Sequence, residues 1–284
     1  MIVIAYADAI SSPMDPTRPD PRHPPSGSQP WSVQMDAATF GQLLIDHAHR
    51  AILAPPDDES THLSPALDDL NSALVTLSSA SPTEQIMSTA DDIAVLASQS
   101  ERGSDSRILR LSAEKIVQRA CADPSLSSTY APLCARMAKT VSPAISDADV
   151  ADKDGAPVVG GALFEKHLLN QCQAEFESSD GVKPGVLQFL AALYETGLLP
   201  LRVACTCIRA VLEQEGGPDG SVLVGLVALL RAVRPAMTES EKGVQMMQSW
   251  LERVEKTRER PGLDGDVRKK LGKLLDEGAN LKSP

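Results

Sequence analysis

Cysteine, histidine and closely spaced aspartate are the residue types in this chain that could hold a metal or move a proton. Cys121, Cys134, Cys172, Cys205 and Cys207 all fall inside apolar, helix-like runs. Their odd number and loose spacing do not make the framework of a secreted disulfide protein, so reduced thiols are expected. Cys205 and Cys207 stand two apart and point in different directions on a helix, and none of the five histidines supplies the second half of a zinc site. DADVADKD, from Asp147 to Asp154, has the acid density of a calcium loop. It lacks the glycine at the bend and the bidentate acid at the twelfth position, so a solvated loop is expected and no metal.

His167 is the one histidine in the regular part of the chain, three residues after Phe164. A partly buried, hydrogen-bonded structural histidine is the expectation there, ahead of a general base. No Gly-rich phosphate loop follows a strand, and neither G-x-S-x-G nor H-E-x-x-H occurs. The reading is therefore non-enzymatic, with no cofactor, no catalytic residue and no small-molecule substrate.

Charge is the other chemistry available. The net charge of -11 is unevenly placed: residues 57–105 hold ten acidic groups against the single base Arg102. That stretch repels nucleic acid. Between 251 and 275 the balance reverses, with Arg253, Lys256, Arg258, Arg260, Arg268, Lys269, Lys270 and Lys273. These are the candidate phosphate contacts, although Glu252, Glu255 and Glu259 interleave with them and a solvated charged face fits as well. No exposed aromatic row accompanies them for base stacking.

The elements that must position these groups read as helices. Aromatics make up only 3% of the 284 residues, so the core is built from Leu, Val, Ala, Ile and Met, which suits helix packing. Residues 1–10 are apolar but lack a basic leader and are too short to span a bilayer, so neither secretion nor a membrane partner is expected. Residues 1–35, with seven prolines between Ser11 and Pro30, read as a disordered leader. Residues 36–78 read as a helical extension, with one helix from Asp36 to about Ile52 and a second from Leu63 to Leu77.

From Ser81 the pattern becomes regular. Ser81, Pro82 and Glu84 look like a capping box opening a helix with Ile86, Ile93 and Leu96 inward. A loop, Gln99 to Ser106, leads to a helix carrying Leu109, Ile116 and Ala120. Another stripe runs Leu126, Tyr130, Leu133, Cys134, Met137 and Val141. Gly160 and Gly161 then open the most strongly patterned helix, in which Phe164, Leu168, Cys172 and Phe176 share one face and Glu165, Gln173, Glu175 and Glu177 face solvent. Further helices carry Val186 to Tyr194, Leu201 to Leu212, the very apolar Val222 to Val233, Met247 to Val254 behind a second capping box of Thr238 and Glu241, and Val267 to Leu275. Roughly nine helices with a repeat near 40 residues predict an all-α, HEAT-like solenoid of about five antiparallel hairpins; an irregular helical bundle has the same periodicity. Stacked hairpins offer a long lateral surface, which favours binding over catalysis.

LLNQCQAEFE, Leu168 to Glu177, resembles the LLNRCQEEFE signature of the middle domain of eukaryotic translation initiation factor 4 gamma, the scaffold subunit of the cap-binding complex. ADPSLSSTYAPLCARM at Ala122 to Met137 resembles that family's DEPNFSSMYARLCRKM, and DGAPVVGGALFEKHLLN at Asp154 to Asn170 its GKPIAGGQLFRKYLLN. VLQFLAALYETGLLP at Val186 to Pro200 is similar to VQFIGELYKLGMLT. The resemblance covers about residues 70–280 and places the domain at 79–280. It implies a cytoplasmic scaffold that clamps a DEAD-box RNA helicase of the initiation factor 4A type and binds messenger RNA. The front hairpin, with Leu77, Pro82 and Ile86, would then be a partner-binding zone, though these apolar residues fit a core equally well. The chain departs from the family pattern at Gln171, in the short Ser178–Gly185 segment and in the reduced Asp264–Gly278 stretch. The expectation is a divergent, shortened member or a partial gene product, acting either as a helicase-stimulating scaffold or as a degenerate, RNA-linked adaptor or competitor that does not stimulate the helicase.

Overall fold

The computed structural model describes residues 60–98, 106–152, 155–178, 181–214 and 217–278. The leader and the helix expected from Asp36 to Ile52 lie outside them, as do residues 99–105 of the expected loop. Among the described residues the chain forms ten α-helices, one 3-10 turn and a two-stranded ribbon. They are α1 Ser60–Val75, α2 Thr83–Ser98, α3 Arg107–Ala122, α4 Ser127–Thr140, β1 Ser146–Ala151, β2 Pro157–Val159, α5 Gly160–Phe176, α6 Pro184–Glu195, α7 Leu201–Glu213, α8 Gly220–Met237, α9 Glu241–Arg258 and α10 Gly265–Gly278.

The expected apolar stripes become the core. Leu109, Ile116 and Ala120 of α3, Tyr130, Leu133, Cys134 and Met137 of α4, and Phe164, Leu168, Cys172 and Phe176 of α5 are all buried. Each set falls on one face at helical spacing, so that face is removed from water and its burial drives assembly. On α2 the stripe shifts: Ile86, Ala90, Ile93 and Ala97 point inward, whereas Leu96 is only half-buried.

Corresponding helices of successive hairpins pack on one another. α6 and α8 share the most extensive helix contact, followed by α2 with α4 and α3 with α5, and all three exceed the contact within the α2–α3 hairpin. This is the stacking of a helical-repeat fold, in which the core lies between layers. α8 is long and apolar enough by composition to cross a membrane. Its Val222, Leu223, Leu226, Leu229, Leu230 and Val233 are all buried among neighbouring helices, which accounts for that apolarity.

Three local expectations are corrected. The Ser81 hydroxyl does not cap α2; it accepts from the Ser78 amide at 3.0 Å and closes the preceding turn. The cap of α9 is Ser240, whose hydroxyl accepts from the Gly243 amide at 3.1 Å, while the Thr238 hydroxyl donates to the Pro235 carbonyl. The aspartate stretch is not a loop but the antiparallel ribbon β1–β2, with Ser146 opposite Val159 and Ala151 opposite Pro157. Its turn is closed by Asp152, whose amide donates to Ala156 O and whose carboxylate accepts from the Ala156 amide, both at 2.8 Å. The alternation of Asp147 and Asp149 with Ala148 and Val150 is too short and too weakly apolar to mark a strand, and side-chain hydrogen bonds add to the strand pairing.

Candidate interaction surfaces

At the front of the helical stack, Leu77 and Ile86 are only 5% and 6% exposed and belong to the core, leaving Pro82 as the exposed member of the three. Leu77 sits beside a turn that α4 clasps: Thr129 Oγ1 donates to Ser78 O at 3.0 Å and Tyr130 Oη to Leu74 O at 3.3 Å. The apolar side chains that do face water here are Val75, 63% exposed, and Val95, 53% exposed. Both lie just off the apolar stripes of their helices, so the periodicity carries no signal for them. Asp68, Asp69, Glu84 and Asp92 are exposed on the same two helices, so this end carries negative charge. Asp91 is occupied: Arg136 donates to both its oxygens at 2.8 and 2.9 Å, and that hydrogen bonding holds its carboxyl below the usual range.

At the other end, the C-terminal part of α9 and the length of α10 enclose an open groove of about 1100 Å³. Five of the eight expected phosphate-contacting residues line it: Arg258, Arg268, Lys269, Lys270 and Lys273. Asp266, Glu259 and Asp276 line it too. The other three stand apart from the groove. Arg253 pairs with Glu213 at 3.7 Å, Lys256 is exposed on α9, and Arg260 lies against Gly217 and donates to Pro218 O. Behind the groove, Glu277 ties α10 to α8 by accepting from Arg231 at 2.9 Å through both oxygens.

A third polar cluster sits where the ribbon meets the helices. Ser106 Oγ donates to Asp147 Oδ2, the Asp149 amide donates to Oδ1 at 3.0 Å, and His167 Nε2 lies 3.9 Å from Oδ2 without a hydrogen bond. His167 is therefore more fully buried than expected, and its Nε2 lacks a hydrogen-bond partner. The serine donates to aspartate and not to histidine, so this trio does not make an activated nucleophile. Burial works against the Asp147 carboxylate, but the Ser106 and Asp149 hydrogen bonds and the nearby His167 and Arg110 outweigh it and hold its pKa low. Burial pulls the His167 pKa below 6.5, with Asp147 opposing and Arg110 and Lys166 reinforcing.

A pH effect follows from that histidine. The unfolded chain takes up its proton near pH 6.5, the folded chain only at lower pH, so folding stability is lost as pH falls from 6.5 towards the folded value. His167→Gln removes this loss. Urea midpoints measured from pH 7.5 down to about pH 5 should decline more steeply for the parent than for the variant, and parallel curves would refute the assignment.

Glu165 is half-buried rather than on a solvent face, and burial raises its pKa. The five cysteines are free thiols; burial pushes Cys121 and Cys207 up to about 12 and Cys205 to about 11. Such thiols are poor nucleophiles at neutral pH. Among the described residues no group of three or more His, Cys, Asp or Glu is arranged to hold a metal.

Residues 77–276 match the MIF4G domain. The chain is 27% identical over 216 residues to eukaryotic translation initiation factor 4 gamma of Schizosaccharomyces pombe, a span covering 67% of this chain and 15% of that protein. It is 26% identical over 180 residues to eukaryotic initiation factor 4F subunit p130 of Saccharomyces cerevisiae, covering 53% of this chain and 19% of the relative. Subunit p150 of the same yeast is 25% identical over 172 residues, covering 50% and 18% respectively. The chain thus spans less than a fifth of the length of these relatives.

Proposed function

The chain belongs to the MIF4G domain family, and from that membership we propose that it is a non-enzymatic scaffold of cytoplasmic translation initiation. In this reading it binds a DEAD-box RNA helicase of the initiation factor 4A type and also contacts mRNA. The observation that carries it is the match across residues 77–276, which takes in the stack from the α1–α2 turn to α10. The two ends of that stack differ in chemistry: an acidic surface with exposed Val75 and Val95, and a groove rich in lysine and arginine. A stacked scaffold that touches both lobes of a mobile helicase shifts it towards the closed state by its differential affinity for that state.

Titration of the full chain into the RNA-dependent ATPase assay of such a helicase tests this. Stimulation together with a stable complex is the expected result; no complex at roughly tens of micromolar would sink the proposal. The departures at Gln171 and in the short Ser178–Gly185 segment favour one second reading, an adaptor or competitor. That reading requires a complex with an unchanged or lowered ATPase rate.

A further inference from the structure

The α9–α10 groove is lined by charged side chains and glycines alone, without an apolar or aromatic residue. Peptide docking draws most of its energy from buried aromatic or aliphatic anchors, membrane association needs apolar insertion, and base recognition by stacking needs aromatic faces. None of these has a foothold here. A ligand that presents charge alone, a sugar-phosphate backbone, matches the lining.

The arrangement along α10 sets how much backbone fits. Asp266, Lys269, Lys270, Lys273 and Asp276 recur at helical spacing and all line the groove. Lys269, Lys270 and Lys273 form no ion pair among the described residues, and Glu277, one helical turn beyond Lys273, is taken by Arg231 and Arg234. Arg258 also lines the groove and passes over Gly272, where a Cβ would lie 3.4 Å from its Nη1, an ordinary contact distance. Its Nη2 also donates to Glu255 at 2.7 Å, and Arg268 is engaged with the Arg260 carbonyl. The free lysines therefore span only the four steps from 269 to 273, or about 6 Å of helix at ~1.5 Å per residue. That is of the order of one step between neighbouring phosphates of a single strand, so about two phosphates can meet it. At either end of the run stands a carboxylate.

We propose that this groove is a short, sequence-independent clamp for about two phosphates of one RNA strand, and that Asp266 and Asp276 set its length by repelling the phosphates beyond. The inference rests on the RNA-contacting part of the proposed function and is independent of helicase binding.

Fluorescence anisotropy of the full chain with labelled oligouridylate, over a series of salt concentrations, tests it. At ~0.7 counterions released per phosphate, log Kd against log salt should have a slope of about 1.4. Oligoadenylate should bind equally well. Lys269→Glu with Lys273→Glu should weaken binding more than tenfold. Asp266→Asn with Asp276→Asn should tighten it several-fold and raise the slope to roughly 2–3. Absence of binding by the parent chain would overturn the RNA reading and the clamp together. Binding that survives the lysine reversals, a parent slope of roughly 3 or more, a strong base preference, tighter binding of a polyglutamate peptide, or no response to the aspartate changes would overturn the clamp and leave the RNA reading standing.

Discussion

Gly161→Val is expected to destabilise the protein by about 3 kcal/mol or more and to lower its melting temperature by roughly 6–12 °C. A Cβ at Gly161 would lie 1.8 Å from Ala138 O, 2.7 Å from Ala138 C and 3.3 Å from Ala138 Cα. All three are backbone atoms of α4, so no side chain can swing aside; α4 and α5 would have to separate. The adjoining Gly160 fixes the approach from the other side. It sits at φ +57°, where a side chain is strained, and its amide donates to Ile145 O at 2.8 Å. The two glycines thus turn the chain out of β2 and lay the first turn of α5 directly on α4. Gly265→Ala is the control, because a Cβ there meets nothing within 4 Å and the backbone is not left-handed. Thermal unfolding of both variants decides the matter: equal small shifts would show that the α4–α5 crossing tolerates a wider gap.

That crossing shows which features a sequence exposes. The stripe Phe164, Leu168, Cys172 and Phe176 was legible because a helix face repeats every three to four residues, whatever it packs against. The glycine pair was legible as a turn, but its close approach to Ala138 depends on how α4 comes to lie beside α5, which local spacing cannot place. The β1–β2 ribbon was not legible, since the Asp147, Ala148, Asp149, Val150 alternation is too short and too weakly apolar to mark a strand, and Lys166 Nζ on Ala151 O and Ser106 on Asp147 help hold it. Helix caps failed for a related reason. Ser, Thr and Pro cluster before α2 and α9, each hydroxyl has several backbone partners within reach, and tertiary packing chooses among them.

The interaction surfaces divide in the same way. The basic residues between 251 and 275 were visible as a charge reversal, yet only the fold separates the five that share a groove from Arg253, Lys256 and Arg260. Leu77 and Ile86 could equally have been surface or core by type, and burial under α4 and its neighbours resolves it. Val75 and Val95 went unnoticed because single exposed valines are common and carry no periodic signal.

Phe164→Ala should cost about 3–5 kcal/mol, read as a lower urea midpoint with an unchanged slope. Phe164 is fully buried, on a helix that packs against both α3 and α4, and those partners are themselves pinned by α2 and α6. The cavity left by the ring therefore has little room to collapse, which puts the loss towards the upper part of the range. Phe176, the last residue of α5 and 7% exposed, should cost less when truncated in the same way. In a stacked-repeat fold each helix pair contacts only its neighbours, and α5 makes no substantial contact with α9 or α10. The phosphate affinity of the folded variant at low temperature should accordingly match that of the parent even though its stability is much reduced. If truncation of Phe164 instead weakened RNA binding in proportion to the stability lost, the repeats would be coupled over the length of the stack, and the local account of the α9–α10 groove would have to be replaced by a global one.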